Sequence, residues 1–268
     1  MARVRLLLLA VLAASGLAAQ PAMVTRAREY LEKVVQGADA WAFQRSWRTN
    51  VSCRQLNKVA EAVLNLQVRK AMSGLPIQPP NVRIEHFRLA RQGDRISLRV
   101  ELSGLPRDME KSAEQEANKW LQTSAQGAML RVLLLQPIGL PTFSQGKILK
   151  GAQVAVSRED KATVDITITP HAEANVNILG RIVRTMVVRV DKATNVVKIM
   201  QANFSDGAML QVRFKHEELK TEDGAVFHVP SAVVLKQKGL DRVGHRVRLP
   251  ATTEMHYDDF RVEAVTKE

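Results

Sequence analysis

The chain has 268 residues, enough for one large domain or two small ones and for a sizeable buried core, which excludes disorder as its main state. Hydrophobic residues make up 46% and charged residues 25%, the balance of an ordinary globular protein and not of one that crosses a membrane many times. Thirty-nine Lys plus Arg against 27 Asp plus Glu leave a formal charge of +12, so an anionic partner is more natural than a cationic one.

Met1 to Arg5 carry two arginines and no acid. Leu6 to Leu17 then form an apolar run broken by Ser15 and Gly16, and Ala18 and Ala19 follow. This three-part layout predicts a secretory signal peptide over residues 1–19, cleaved after Ala18 or Ala19, with one domain over 20–268. The apolar run is shorter than the ~20 residues of a spanning helix. No cysteine stands near the cleavage point to take a lipid, so a soluble product is expected, and loss of Arg3 and Arg5 takes the charge from +12 to +10. The one cysteine, Cys53, allows no intramolecular disulfide, which points to a bacterial periplasm or exterior. Without a CxxC motif, Cys53 is read as a small buried hydrophobe and not as a reactive thiol.

Along the mature chain, Val24, Ala27, Leu31, Val34 and Val35 share one helical face, predicting a helix over about 23–36 with Gly37 as its stop. Trp41, Phe43 and Trp47 crowd a stretch that the pattern leaves unassigned. A second helical face runs through Leu56, Val59, Ala60, Val63 and Leu64 to Met72, before Gly74 and Pro76. From Val82 the period is two. Val82 to Leu89 and Ile96 to Leu102 flank Gln92-Gly93-Asp94 and predict a hairpin with one polar face. Met109, Ala113, Ala117, Trp120 and Leu121 return to helical spacing, with Pro106 just outside the start. Met129 to Leu135 is a helical segment or a buried strand, and Gly139 to Lys147 reads as a loop.

After 147 the chain reads as strands near 148–157, 162–169, 181–191, 196–205, 208–219, 225–237 and 245–262. Turn signals such as Asp206-Gly207 and Asp223-Gly224 make these an antiparallel meander. Ile182 to Val190 carries apolar residues on both faces, as a strand covered twice would. The expected fold is α+β: a helix-rich half over 20–146 and a meander over 147–262, forming a large curved antiparallel β-sheet, an incomplete barrel, covered by the N-terminal and mid-chain helices.

Catalytic signatures are missing from the sequence: no GxSxG, HExxH, GxGxxG or CxxC occurs. No enzyme activity and no cofactor is therefore expected. His216-Glu217-Glu218 and His256-Tyr257-Asp258-Asp259 contain metal-ligand residue types. On a strand, however, Glu217 opposes His216 and Asp258 opposes His256, so solvated strand-end charges are the preferred reading and no metal site is assigned. Seven Phe, three Trp and two Tyr supply few stacking platforms, and with a signal peptide this argues against nucleic acid. Lipid or lipoprotein acyl chains and an anionic membrane surface are the expected partners.

The run from Val190 to Leu235 places Asp191-Lys192 at a strand end, Asp206-Gly207 at a turn, and Asp223-Gly224 separated by five residues from Pro230; Tyr257-Asp258-Asp259-Phe260 follows near the C-terminus. In these features the chain resembles the periplasmic outer-membrane lipoprotein-sorting (LolA-like) superfamily over about 147–262. The resemblance implies an incomplete barrel with helices as a lid over an apolar cavity that shields acyl chains. Residues expected to line it are Leu98, Val100, Ile166, Ile168, Met186, Val188, Met200, Leu210, Val212 and Phe214, with nine methionines in the chain to adapt to varied ligands. The same ten residues would fill a dry core equally well. Two readings stay open: a non-enzymatic periplasmic carrier or binder of a lipid or lipid-modified protein, and an envelope sensor module on the same fold that binds a membrane-protein segment without transporting lipid.

Overall fold

The computed structural model describes residues 21–42, 44–71, 81–93, 95–124, 151–171, 181–240 and 250–263, with 127, 130–131, 134, 173, 176–178, 242–243 and 247–248 between them. Helix α1 (Pro21–Ala42) buries Ala27, Leu31, Val34 and Trp41 along one face. It therefore runs straight through Gly37, where the sequence predicts a stop. A mid-helix glycine costs about 1 kcal/mol, less than the burial of Trp41 returns by extending the same face. Helix α2 (Arg54–Ala71) buries Leu56, Ala60 and Leu64, and α3 (Arg107–Thr123) buries Ala117, Trp120 and Leu121 behind Pro106, whose carbonyl accepts from Met109 and Glu110 N–H. The described residues 127, 130, 131 and 134 are helical, which settles the 129–135 alternative for them, while the expected loop over 139–147 lies outside the described residues.

Ten strands form one antiparallel sheet that does not close. They are β1 (Trp47–Ser52), β2 (Arg83–Gln92), β3 (Arg95–Ser103), β4 (Gln153–Glu159), β5 (Thr163–Thr169), β7 (Arg181–Asp191), β8 (Val197–Phe204), β9 (Met209–Lys220), β10 (Val226–Lys238) and β13 (Thr252–Val262), with short β6 (Asn177–Ile178) paired to β7. The order is β3-β2-β1-β13-β10-β9-β8-β7-β5-β4, so the meander is extended by the N-terminal hairpin through β1 against β13. Strand β1, which begins in the stretch that the sequence pattern leaves unassigned, alternates Trp47, Thr49 and Val51, all buried, with Arg48, Asn50 and Ser52. The expected run 245–262 divides into a small hairpin, β11 (Arg242–Val243) with β12 (Val247–Arg248), and β13. Turn glycines Gly207 and Gly224 sit at φ +82 and +80, a region that side chains avoid.

Edge strand β3 is blunted by α3: Val100 N–H donates to Asn118 Oδ1 at 2.9 Å and Leu102 N–H to Glu114 Oε1 at 3.2 Å. Helix α2 does the same at the start of β2, where Glu61 accepts from Ile84 N–H and Asn65 from Val82 N–H, both at 2.8 Å. Helix α1 packs against edge strand β4 and reaches β10. The outer sheet face is polar, with Arg189 in a two-pronged pair to Asp165 and a hydrogen-bonded row running from Arg213 through Gln211, Gln201 and Asn203 to Thr185. Strand β7 is accordingly not covered twice. Val187 stands half-buried beside this polar row, paired with Gln201, and Ile182 is exposed.

One irregularity shapes the site. Strands β10 and β13 pair only between Ala232–Lys236 and Thr252–His256; beyond them, β10 stays on β9 while β13 continues along β1. Trp41, Trp47 and Phe260 fill the inner side of this split with ring centroids 5.3 to 6.1 Å apart. Arg45 ties its two sides together, pairing with Asp223 at 2.8 Å, donating to Glu263 O and lying over Phe227.

Candidate ligand-binding cleft

The ten residues expected to line a cavity all lie on the inner sheet face and are at most 8% exposed. Register sets Ile166, Val188, Met200 and Val212 in one row across four strands, and Ile168 and Met186 in the next, continued through Ala202 to Leu210. Phe214 follows Val212 along β9, while Leu98 and Val100 pair with Leu89 and Phe87 at the far end of the sheet. All ten belong to the buried core, and the clefts described below are lined by other residues.

A cleft of about 250 Å³ opens at the end of the sheet where α1 crosses the strand ends. One wall is α1, with Val34, Val35 and Trp41 beside the small residues Gly37 and Ala38. The β7–β8 turn, Thr194 to Val197, forms the second, and β9 and β10 supply His216, Phe227, His228 and Pro230. Val226 at the mouth is 50% exposed. The lining is mainly apolar, the character of small-molecule sites, with the two imidazoles as its titratable groups among the described residues.

His216 is not the solvated strand-end group that the sequence predicts. It follows Phe214 on the inner face of β9, its ring 6.0 Å from that of Phe214, and its Nδ1 is buried without a hydrogen-bond partner. Burial, with electrostatic interactions with Lys198 and the neighbouring His228 adding to it and Asp191 opposing, pushes its pKa down from 6.5 to about 4. The ring is therefore neutral at pH 7. Glu217 lies across the strand and Glu218 is exposed opposite His228, so the three consecutive residues do not converge. The α1 wall and the Val226–Pro230 segment went unrecognised as site elements. Their signal was Gly37-Ala38 within an otherwise apolar helical face, a place where a helix leaves space.

At its other end α1 is held by Arg26, which pairs with Glu159 of β4 at 2.8 Å; Lys192 of the β7–β8 turn reaches the same carboxylate at 2.9 Å. The Lys192 hydrogen bond is the main reason that Glu159 stays below its usual pKa. Two further clefts are more polar. One of about 620 Å³ lies beside Asn57, Lys58, Glu61 and Glu254, and one of about 450 Å³ beside Arg48, Lys220 and Arg261. Cys53 borders the former, buried as expected, and burial raises its pKa. His256, in the same cleft, lies 3.4 Å from Glu254. No helix among the described residues is long and apolar enough to cross a membrane.

No family model matches the chain, and no curated protein does. The chain is weakly similar in structure, over about nine-tenths of its length, to an outer membrane lipoprotein-sorting protein domain from Vibrio parahaemolyticus, at 11% identity and a TM-score of 0.43 over 91% of this chain and 95% of that one. It is similar in the same way to a DUF1329 family protein from Desulfovibrio piger, at 8% identity and 0.39 over 91% and 95%, and to a LolA superfamily protein from Nitrosomonas europaea, at 9% identity and 0.36 over 90% and 94%.

Proposed function

We propose that the protein is a non-enzymatic, exported binder or carrier of lipid or lipid-modified protein, and that the cleft beneath α1 receives the apolar part of the ligand. The observation that carries this is the cleft itself: a mainly apolar opening between α1, the β7–β8 turn and residues of β9 and β10. Its position favours continuity with the expected cavity. His216 leads along β9 to Phe214, Val212 and Leu210, and Val197 leads along β8 to Met200. A chain entering there meets the row of inner-face residues predicted from the sequence, and each methylene taken out of water contributes about 0.8 kcal/mol.

The test combines lipid identification with a plug. Mass spectrometry of mildly purified protein is expected to find lipid above a control protein, and the protein is expected to bind a fluorescent fatty acid. At Gly37, which lines the cleft, an added Cβ meets nothing within 4 Å, so Gly37→Leu should fill the cleft while improving the helix. Binding should then fall although stability does not. Equal binding by the plugged variant, or co-purification of a protein with no lipid, would overturn the reading, the second outcome in favour of the sensor module.

A further inference from the structure

A lipid cleft explains the apolar walls but not His216. A buried polar atom without a partner is unfavourable, and in native proteins it calls for an explanation such as strain, a bound water, an ion or a ligand group. Nδ1 of His216 is such an atom, and it belongs to a residue lining the cleft. The charged and titratable groups acting on this ring come from the strands around it: Asp191 at the end of β7, Lys198 at the start of β8 and His228 on β10. Lys198 is 3.5 Å from Asp191 yet 42% exposed along its side chain, so its ammonium is only partly committed. The residues that α1 contributes to the cleft are uncharged.

Resting on the reading of the cleft as a lipid site, we propose that its ligand is a single-chain amphiphile with a carboxylate head, of the fatty acid class. The head accepts a hydrogen bond from His216 and lies beside Lys198, and the chain runs between Trp41 and Phe227. Three observations select this class. The volume of about 250 Å³ lies just under the ~300 Å³ at which ligand pockets usually begin, which suits one chain better than two. Among the described residues no arginine lines the cleft, so the forked donor that suits a phosphate head is missing. A neutral imidazole with one N–H donor, near one ammonium, matches a single negative charge.

The experiment is competition against a fluorescent fatty acid by three ligands of equal chain length: the acid, the corresponding alcohol and a lysophospholipid. The acid should displace the probe about tenfold better than the alcohol, the margin of one hydrogen bond to a charged group. His216→Phe should level acid and alcohol by weakening the acid alone. Lys198→Gln, at a partly exposed position that leaves the fold intact, should weaken the acid several-fold and leave the alcohol unchanged. Equal displacement by acid and alcohol in the unaltered protein would overturn the carboxylate assignment while leaving the lipid cleft standing. A lysophospholipid that outcompetes the acid would also overturn it, in favour of a phosphate head. Failure of all three ligands, or insensitivity to Gly37→Leu, would instead remove the lipid cleft itself.

Discussion

Mild acid should weaken this fold through His216, before the carboxylates titrate. In the folded chain burial holds the His216 pKa at about 4, against 6.5 for the free side chain. Between these values the unfolded chain binds the proton and the folded chain does not, so stability rises with pH across this interval. The contribution is whole above about pH 6.5 and is lost as pH falls toward 4. From pH 7 to pH 5 the loss is about 2 kcal/mol, which for a chain of this size lowers Tm by about 4–8 °C. Urea unfolding at both pH values, on the unaltered protein and on His216→Phe, measures it. Phenylalanine keeps the ring against Phe214 and removes the titration. The variant should therefore lose most of the difference between pH 7 and pH 5. An equal difference in both proteins would show that His216 is not held neutral by burial.

Trp41→Ala removes the ring that packs edge-on against Trp47 and Phe260 and should cost about 3–5 kcal/mol in urea unfolding. Glu159→Gln releases both Arg26 and Lys192, so amide hydrogen exchange over residues 21–30 should quicken, most clearly at low salt, with little change at β13. Asn118→Ala leaves the Val100 N–H of edge strand β3 without its acceptor and should cost about 1–3 kcal/mol; light scattering after mild heating should show more aggregation than the unaltered protein gives. The Asp223 carboxyl is held at about 2, chiefly by the Thr221 hydroxyl and then by Arg45, so its contribution is present above about pH 4 and disappears as pH falls toward 2. Asp223→Asn should flatten the stability profile in that window alone.

Where one face alone is buried, sequence periodicity was enough to find the elements. The hairpin β2–β3, helix α3 and the strands β5 and β7 to β10 lie close to their expected bounds because inward and outward residues alternate along most of their length. Strand β1 was hidden by its tryptophan, since Trp41 and Trp47 belong to different elements that meet at the split in the sheet. The helix stop expected at Gly37 failed for a similar reason: a local glycine signal was overridden by the burial of Trp41 four residues later, and no local pattern shows that burial. Of the ten inner-face residues, Leu98, Val100, Ile166, Ile168, Leu210, Val212 and Phe214 stand out by period two, but period says which residues face inward and not whether space remains between them. The cleft arises from three segments far apart in sequence, α1, the β7–β8 turn and the start of β10, and His216 acquires its character only from their juxtaposition.

How far a ligand reaches decides between a fixed cleft and a lid. Lifting α1 would expose Leu31, Val34 and Trp41, each contributing about 1.5–3 kcal/mol by burial, so the helix is released in fewer than about one molecule in a thousand unaided. A ligand that required this would lose the same amount from its affinity. The cleft as it stands holds about 250 Å³, room for about eight groups the size of a water molecule. A series of fatty acids of increasing length separates the two cases. With a fixed cleft, affinity should rise about fourfold per methylene, the equivalent of about 0.8 kcal/mol, until the cleft is full, and then level off. If the chain passes Phe214 into the row of Val212 and Met200, the rise should resume at greater length, and Phe214→Trp should end it there while leaving short acids unaffected. A plateau in the unaltered protein that Phe214→Trp does not move would confine the ligand to the cleft and leave the ten inner-face residues as core.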